Sequence, residues 1–401
     1  MRKTELHDLV WRRFIRMPYG HLLDYTDENG NTTIPTPEEC QNSIPNPMGW
    51  WTPIENGAFF GGLYVYALIK EYKLNPSEKL ADDINTLIKG LLILQDVGKT
   101  EGFIARGVAD DGVSHYKCSS EDQVFPWVLG MYAYLNSGLC SDKDDVTKRL
   151  LTVINSIWPK DINKPKIVVY ECVERGNPQT TGWRAISSML YCSYVRAILT
   201  GLDEDMTHYY KLCEENPDAC DFSRIEIISH GFAPEMVRST SLIQFWIDVS
   251  FQIACYELAE LDRKYGSCYD AACKHNGYTA LQFADDMLKY DNQAGGFSLN
   301  WRAISNMAIP FNGDRKEAVQ NAIKECDVWN KTVVPHRHME HKILGDAIYG
   351  LWIALMCHDE KVERLAKKHL LANIDKVDWN TLTTSYAFVA ESCLILADHV
   401  I

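Results

Sequence analysis

The sequence predicts an all-α protein, an (α/α)6 toroid of six helical hairpins with a few short β-hairpin insertions in its rim loops. Three observations lead there. Long segments carry apolar residues at three- and four-residue spacing, the mark of amphipathic helices. Gly, Pro and polar loops separate them. Every other helical segment is apolar or small-residue-rich, while its neighbour carries charge on one face. An inner and an outer ring of hairpins would produce that alternation.

Taken in order, the periodicity places helices near 3–16, 58–73, 77–97, 123–137, 143–157, 182–200, 203–215, 239–263, 277–290, 314–328, 341–357, 360–374 and 380–399. Gly98, Gly138 and Gly201 follow the third, fourth and sixth of these and read as stop signals. The apolar set is 58–69, 124–135, 185–199, 242–258, 347–357 and 385–397; the partners with one charged face include 77–97, 143–157, 203–215 and 360–374. Three stretches read as extended. Residues 102–117 have two short arms around Asp111-Gly112, a hairpin signal, and 166–174 and 223–229 are β-branched runs. No fixed-period repeat, linker or composition break divides the chain, so residues 1–401 read as one domain.

Composition narrows the class. Hydrophobic residues at 46% and charged residues at 23% are those of an ordinary globular protein. A net charge of −14 argues against nucleic acid, whose phosphates need a basic patch. A local Arg/His cluster still leaves room for an anionic ligand. No apolar run of 18 or more residues is present to span a membrane. The N-terminus lacks an apolar signal core, so the chain as it stands reads as soluble and cytoplasmic; a periplasmic or secreted location would need a leader already removed. The 13 cysteines match no zinc spacing, and most fall in apolar helical runs as small buried hydrophobes, which suggests a reduced compartment. Cys213 with Cys220, or Cys268 with Cys273, are the pairs that an oxidising one would join.

In a toroid the loops leading into the inner helices line the central cavity, and here those loops are dense in polar and aromatic residues. The first holds Trp50, Trp51 and Glu55. The second has Ser119, Ser120, Glu121 and Asp122, after a hairpin carrying Arg106, Asp110, Asp111 and His115. Trp183-Arg184 follow, then His230, Glu235 and Arg238, then Trp301-Arg302, and last His336, His338, Glu340 and His341 with Asp346 one turn on.

Each residue also has a plainer role. Ser119–Asp122 suits a helix N-terminus, with a serine cap and acids matching the dipole. Glu55 suits a turn before Asn56-Gly57, and Asp110-Asp111 suit the hairpin turn. The two Trp-Arg pairs suit structural cation–π contacts. The spacing of His336, His338 and His341 fits no standard ligand set, so no metal is expected, and no motif implies a cofactor.

Together the set has the chemistry of glycosidic bond cleavage. A carboxylic acid must protonate the leaving oxygen, and a second carboxylate activates water or attacks. Asp122 and Glu55 are the candidates. Arg106, His115, Arg184, His230, Arg238, Arg302 and His338 could hold a uronate or sulfate, with Glu235 a further polar contact. Trp50, Trp51, Trp183 and Trp301 offer flat faces for sugar stacking. Acyl-transfer, ATP and NAD motifs are missing.

The segments Glu55-Asn-Gly-Ala-Phe-Phe-Gly-Gly-Leu-Tyr64 and Ser119-Ser-Glu-Asp-Gln-Val-Phe-Pro-Trp-Val-Leu-Gly-Met-Tyr132 give the chain a likeness to a known group. It resembles the six-hairpin glycosidase superfamily, in particular unsaturated glucuronyl and rhamnogalacturonyl hydrolases. The resemblance implies that Asp122 protonates a sugar's C4–C5 double bond and helps water add at C5. Ordinary hydrolysis by Asp122 and Glu55 stays open beside it. So do a sugar epimerase of the N-acylglucosamine 2-epimerase type, relying on Arg and His, and a non-catalytic glycan-binding protein.

Overall fold

The computed structural model describes residues 2–160, 182–217, 220–232, 243–291, 300–303, 320–324 and 339–400. The fold is all-α. Its helices are α1 (Lys3–Arg13), α2 (Pro37–Gln41), α3 (Gly57–Leu74), α4 (Glu78–Asp96), α5 (Glu121–Leu135), α6 (Lys143–Ile157), α7 (Trp183–Thr200), α8 (Asp203–Glu214), α9 (Arg224–Ser229), α10 (Phe245–Leu261), α11 (Gly266–Leu281), α12 (Asp346–Ala354), α13 (Glu360–Asn373) and α14 (Ala387–His399). A π-helical turn, Met339–Gly345, runs straight into α12.

Local chemistry explains the ends. Ser77, Asp142 and Asp359 each accept a hydrogen bond from a backbone N–H of the turn that follows, at 3.0–3.2 Å. Such caps satisfy donors that the helix itself leaves unpaired. Gly201 ends α7 at φ 64°, a left-handed conformation that glycine adopts freely.

Burial follows the alternation in the sequence. In α3 every residue from Gly57 to Ile69 is buried, and in α14 every residue from Ala387 to Ala397. The partner helix α4 buries a stripe instead: Leu80, Ile84, Leu87, Leu91 and Leu94. The apolar helices pack in a sequence: α3 on α5, α5 on α7 and α10, α7 on α10, α10 on α12, α12 on α14, and α14 back on α3. The striped helices lie against them, α4 on α3, α6 on α5, α8 on α7, α11 on α10, and α13 on α12 and α14. The α3–α5 contact is the most extensive of these. A Cβ on Gly62 would meet the Pro126 carbonyl oxygen at 2.1 Å, so only glycine lets the two backbones touch.

α1 closes over α3, α4 and α14 through an ionic clamp. His7 Nδ1 lies 2.9 Å from Glu391 Oε1 and His7 Nε2 lies 3.0 Å from Asp83 Oδ2, while Tyr64 Oη donates to Glu391 at 2.6 Å. Burial opposes charge on His7, but the two carboxylates outweigh it and raise its pKa to about 9.

Several expectations need correction. Residues 102–117 form turns, not paired strands: Ser114 and Ala109 close a tight loop, with the Asp111 carboxylate accepting from the N–H groups of Val113 and Ser114. The strand pair found among the described residues is Ile15–Arg16 with His21–Leu22 instead. Residues 223–229 are not extended. Ser223 and Glu226 make a capping box that starts α9, and this local hydrogen bonding outweighs the β-branched composition. The helix expected over 277–290 starts earlier, at Gly266, and its tail becomes a 3-10 turn at Ala284–Lys289. The described cysteines are free thiols, so Cys213 and Cys220, like Cys268 and Cys273, are unjoined. The run 166–174 lies outside the described residues, as does most of 314–328.

Candidate active site

Polar contacts link the first turns of the apolar helices. Gln123, in the first turn of α5, donates from Nε2 to Asn56 Oδ1 at 2.7 Å and accepts from Phe59 N–H at 3.1 Å, which joins α5 to α3. Buried Asp24 accepts from Asn56 N–H at 2.8 Å and from its side-chain amide at 2.5 Å, and its carbonyl accepts from Ser385 N–H, ahead of α14, at 3.0 Å. Buried Glu340, ahead of α12, accepts from Thr383 N–H at 3.0 Å and Thr384 N–H at 2.7 Å. Arg184 of α7 grips Asp248 of α10 with two bonds of 2.6 and 3.1 Å. Asp248 in turn stands within electrostatic reach of Asp346 at the start of α12.

The loop before α3 is held hard. Trp51 has φ 75°, in the left-handed region that a bulky residue avoids at a cost of about 1–3 kcal/mol. Two bonds hold it there: its N–H donates to Glu55 Oε2 at 2.8 Å, and its carbonyl accepts from Tyr25 Oη at 2.5 Å. Glu55 therefore braces the turn, the plainer of its two roles. Trp50 and Trp51 are half-buried and stand edge to face, 6.0 Å between centroids. Arg106 is buried, and its fork donates to the Glu55 carbonyl at 3.1 Å and to Ser120 Oγ at 2.8 Å, tying this loop to the start of α5. His115 contacts the Val113 carbonyl and the Phe103 ring.

Asp122 behaves differently. It is half-buried in the first turn of α5 and makes no hydrogen bond or ion pair among the described residues. It caps nothing.

On the other side, Trp183 is the first residue of α7, packed edge-on to Phe232 and Phe251 at 5.1 and 6.0 Å, and its Nε1 has no partner among the described residues. Burial pushes the Asp248 carboxyl up, while Arg184 draws it down. Asp346 Oδ1 is buried without a hydrogen-bond partner among the described residues. Burial raises its pKa, Lys342 opposes that, and Asp248 and Asp286 add to it. One turn on, Tyr349 is fully buried with its Oη unpartnered in the same sense, near Tyr386 and Asp24. His341 Nδ1 is bonded to Tyr386 Oη. Ser119, Thr384 and Ser385 hydroxyls complete a set of buried, unpartnered polar atoms at this one end of the helices. Orphans occur elsewhere, Arg196 Nε among them. Buried polar groups are nearly always paired, so this set at the helix starts makes that end the candidate site.

The remaining expected residues are not gathered here. His230 is exposed at the end of α9. Trp301 is buried with its Nε1 on the Thr33 carbonyl, and Arg302 stacks on it at 4.5 Å while gripping Glu39 at 2.5 and 2.7 Å. That pair is the structural cation–π contact. Glu235, Arg238 and His338 lie outside the described residues. Arg106, Arg184 and Arg302, expected to hold a substrate anion, each bind protein acceptors instead. Asp24 and Asp248 were missed in the sequence. Asp248 had a signal, an acid in the first turn of an apolar helix; Asp24 had none. No three His, Cys, Asp or Glu side chains among the described residues are grouped to hold a metal ion, and none of the described helices is long and apolar enough to cross a membrane.

No protein-family model, curated protein or solved structure matches the chain.

Proposed function

We propose that the protein is a carbohydrate-processing enzyme, a glycoside hydrolase built on an (α/α)6 toroid, with a polar oligosaccharide as substrate. The cyclic packing order of the six apolar helices supports the toroid. The polar ends linked from α5 through α3, α14, α12 and α10 to α7 support one shared site.

The observation that carries the reading is Asp122. A half-buried carboxylate at a helix start, without a partner among the described residues, is available to a reacting group, and negative charge is favoured there. In hydrolysis it would take a proton from the attacking water. Trp50, Trp51 and Trp183 are at hand for stacking. Glu55 is less suited to chemistry than to bracing Trp51.

The test is turnover on a panel of saturated and unsaturated oligosaccharides, followed by reducing ends and by loss of double-bond absorbance. Asp122→Asn should abolish turnover while leaving binding by calorimetry nearly unchanged. Retained turnover would sink the assignment.

One observation favours a second reading. The His341–Tyr386 pair beside Tyr349 offers an epimerase a proton carrier at the same end. His341→Ala abolishing sugar epimerisation, with no reducing ends from wild type, would establish it.

A further inference from the structure

Hydrolysis uses two carboxyl groups in opposite states, one ionised to activate water or attack and one protonated to give a proton. With Glu55 bound to the Trp51 backbone, the second group has to come from elsewhere. Among the carboxyl groups at this end, Asp24 accepts two bonds from Asn56, Glu340 is tied to Thr383 and Thr384, and Asp248 is locked to Arg184. Asp346 stands apart. It opens α12, its Oδ1 is buried, and that atom has no partner among the described residues.

We propose that Asp346 is the proton donor of the glycosidic cleavage, with Asp122 as its counterpart; the assignment rests on the hydrolase reading above. An independent observation points to a ligand at the same place. Tyr349 lies three residues on, on the same helix face, fully buried, with an Oη that meets no acceptor among the described residues. A sugar hydroxyl would satisfy it.

Surroundings favour the protonated form of Asp346. Burial disfavours its charged form, the carboxylates of Asp248 on α10 and Asp286 on the 3-10 turn add to that, and Lys342 on the π turn is the opposing cation. Arg184 holds Asp248 in place, so Arg184 and Asp248 are positioning residues. In the step itself, the Asp346 O–H gives its proton to the glycosidic oxygen as the bond from that oxygen to the anomeric carbon breaks. The bonding electrons leave with the oxygen, which departs as an alcohol. Water bonds to the anomeric carbon and passes a proton to Asp122. Solvent returns that proton to Asp346, so one glycoside and one water give two hydroxyl products.

The experiment compares leaving groups. The sugar that wild type cleaves is supplied as an alkyl glycoside and as a 2,4-dinitrophenyl glycoside, whose leaving group needs no proton. Asp346→Asn should lower kcat/KM on the alkyl glycoside by ~10²–10⁴-fold and on the dinitrophenyl glycoside by less than ~10-fold. The basic limb of the pH profile should vanish with it. Asp122→Asn should lose both substrates. Asp346→Glu, which keeps the carboxyl, should restore the basic limb at reduced rate, and it serves as the test if Asp346→Asn does not fold. Equal loss on both glycosides, or no loss, overturns the assignment while leaving the hydrolase reading intact. A wild type inert on every glycoside overturns both.

Discussion

The two ends of the apolar helices obey the same burial rules and reach opposite results. At the C-terminal end, Glu257 of α10 accepts from Tyr66 Oη at 2.5 Å and from Lys70 at 2.9 Å, both on α3. Tyr132, Tyr191 and Asn136 close the space around them to a cavity of about 50 Å³. Acid, phenol and ammonium satisfy one another. At the N-terminal end, Asp122, Asp346, Tyr349 and Trp183 leave polar atoms unpaired among the described residues. At one end the polar groups are matched within the fold; at the other several are left for something else to match.

That contrast can be broken by substitution, beginning with the largest effect. Asp122→Asn should cut turnover by ~10²–10⁴-fold with an unchanged melting temperature, whereas a purely structural Asp122 would show the reverse. Arg184→Ala leaves buried Asp248 without its cation, holding only the Gln244 N–H, and should destabilise by about 3 kcal/mol in urea unfolding; the lower end of the range applies because the Arg184 side chain keeps 24% exposure.

The clamp on α1 makes a pH prediction. The pKa of His7 in the folded state, about 9, lies above its unfolded value of 6.5. Its contribution is therefore complete below pH 6.5 and is lost as pH rises through about 9. His7→Gln should remove stability of about 3 kcal/mol measured at pH 6 and almost none at pH 10. A constant difference across that range would show that the charge is not what holds α1. Gly62→Ala forces α3 and α5 apart and should cost about 1–3 kcal/mol in the same assay. Smallest is Glu257→Gln, which should leave turnover untouched and destabilise by about 1 kcal/mol. A large activity loss there would end the distinction between the two ends.

The helices were legible because their cause is local. Apolar spacing in 58–73 and 143–157 reproduces α3 and α6 within a residue, and Gly201 stops α7 where expected. Where two local signals competed, composition misled. The β-branched run 223–229 lost to the Ser223–Glu226 capping box, and Asp111-Gly112 made a turn without strands to join. The candidate site was half legible. Its loops could be located, since polar and aromatic residues crowd before apolar helices, but which residue bonds to protein could not. Glu55 and Arg184 looked as available as Asp122 until their partners were seen.

From its sequence alone, then, this protein is all-α, alternates fully buried with striped helices, and carries its polar chemistry just ahead of the buried ones. Periodicity, capping and burial are properties of neighbours along the chain. Tertiary structure decided the rest: Arg184 meets Asp248 across 64 residues, Glu340 meets Thr383 across 43, and Asp24 meets Asn56 across 32. Pairing of that kind depends on which helices pack together, and so only the folded chain separates the carboxylates that are consumed from Asp122 and Asp346.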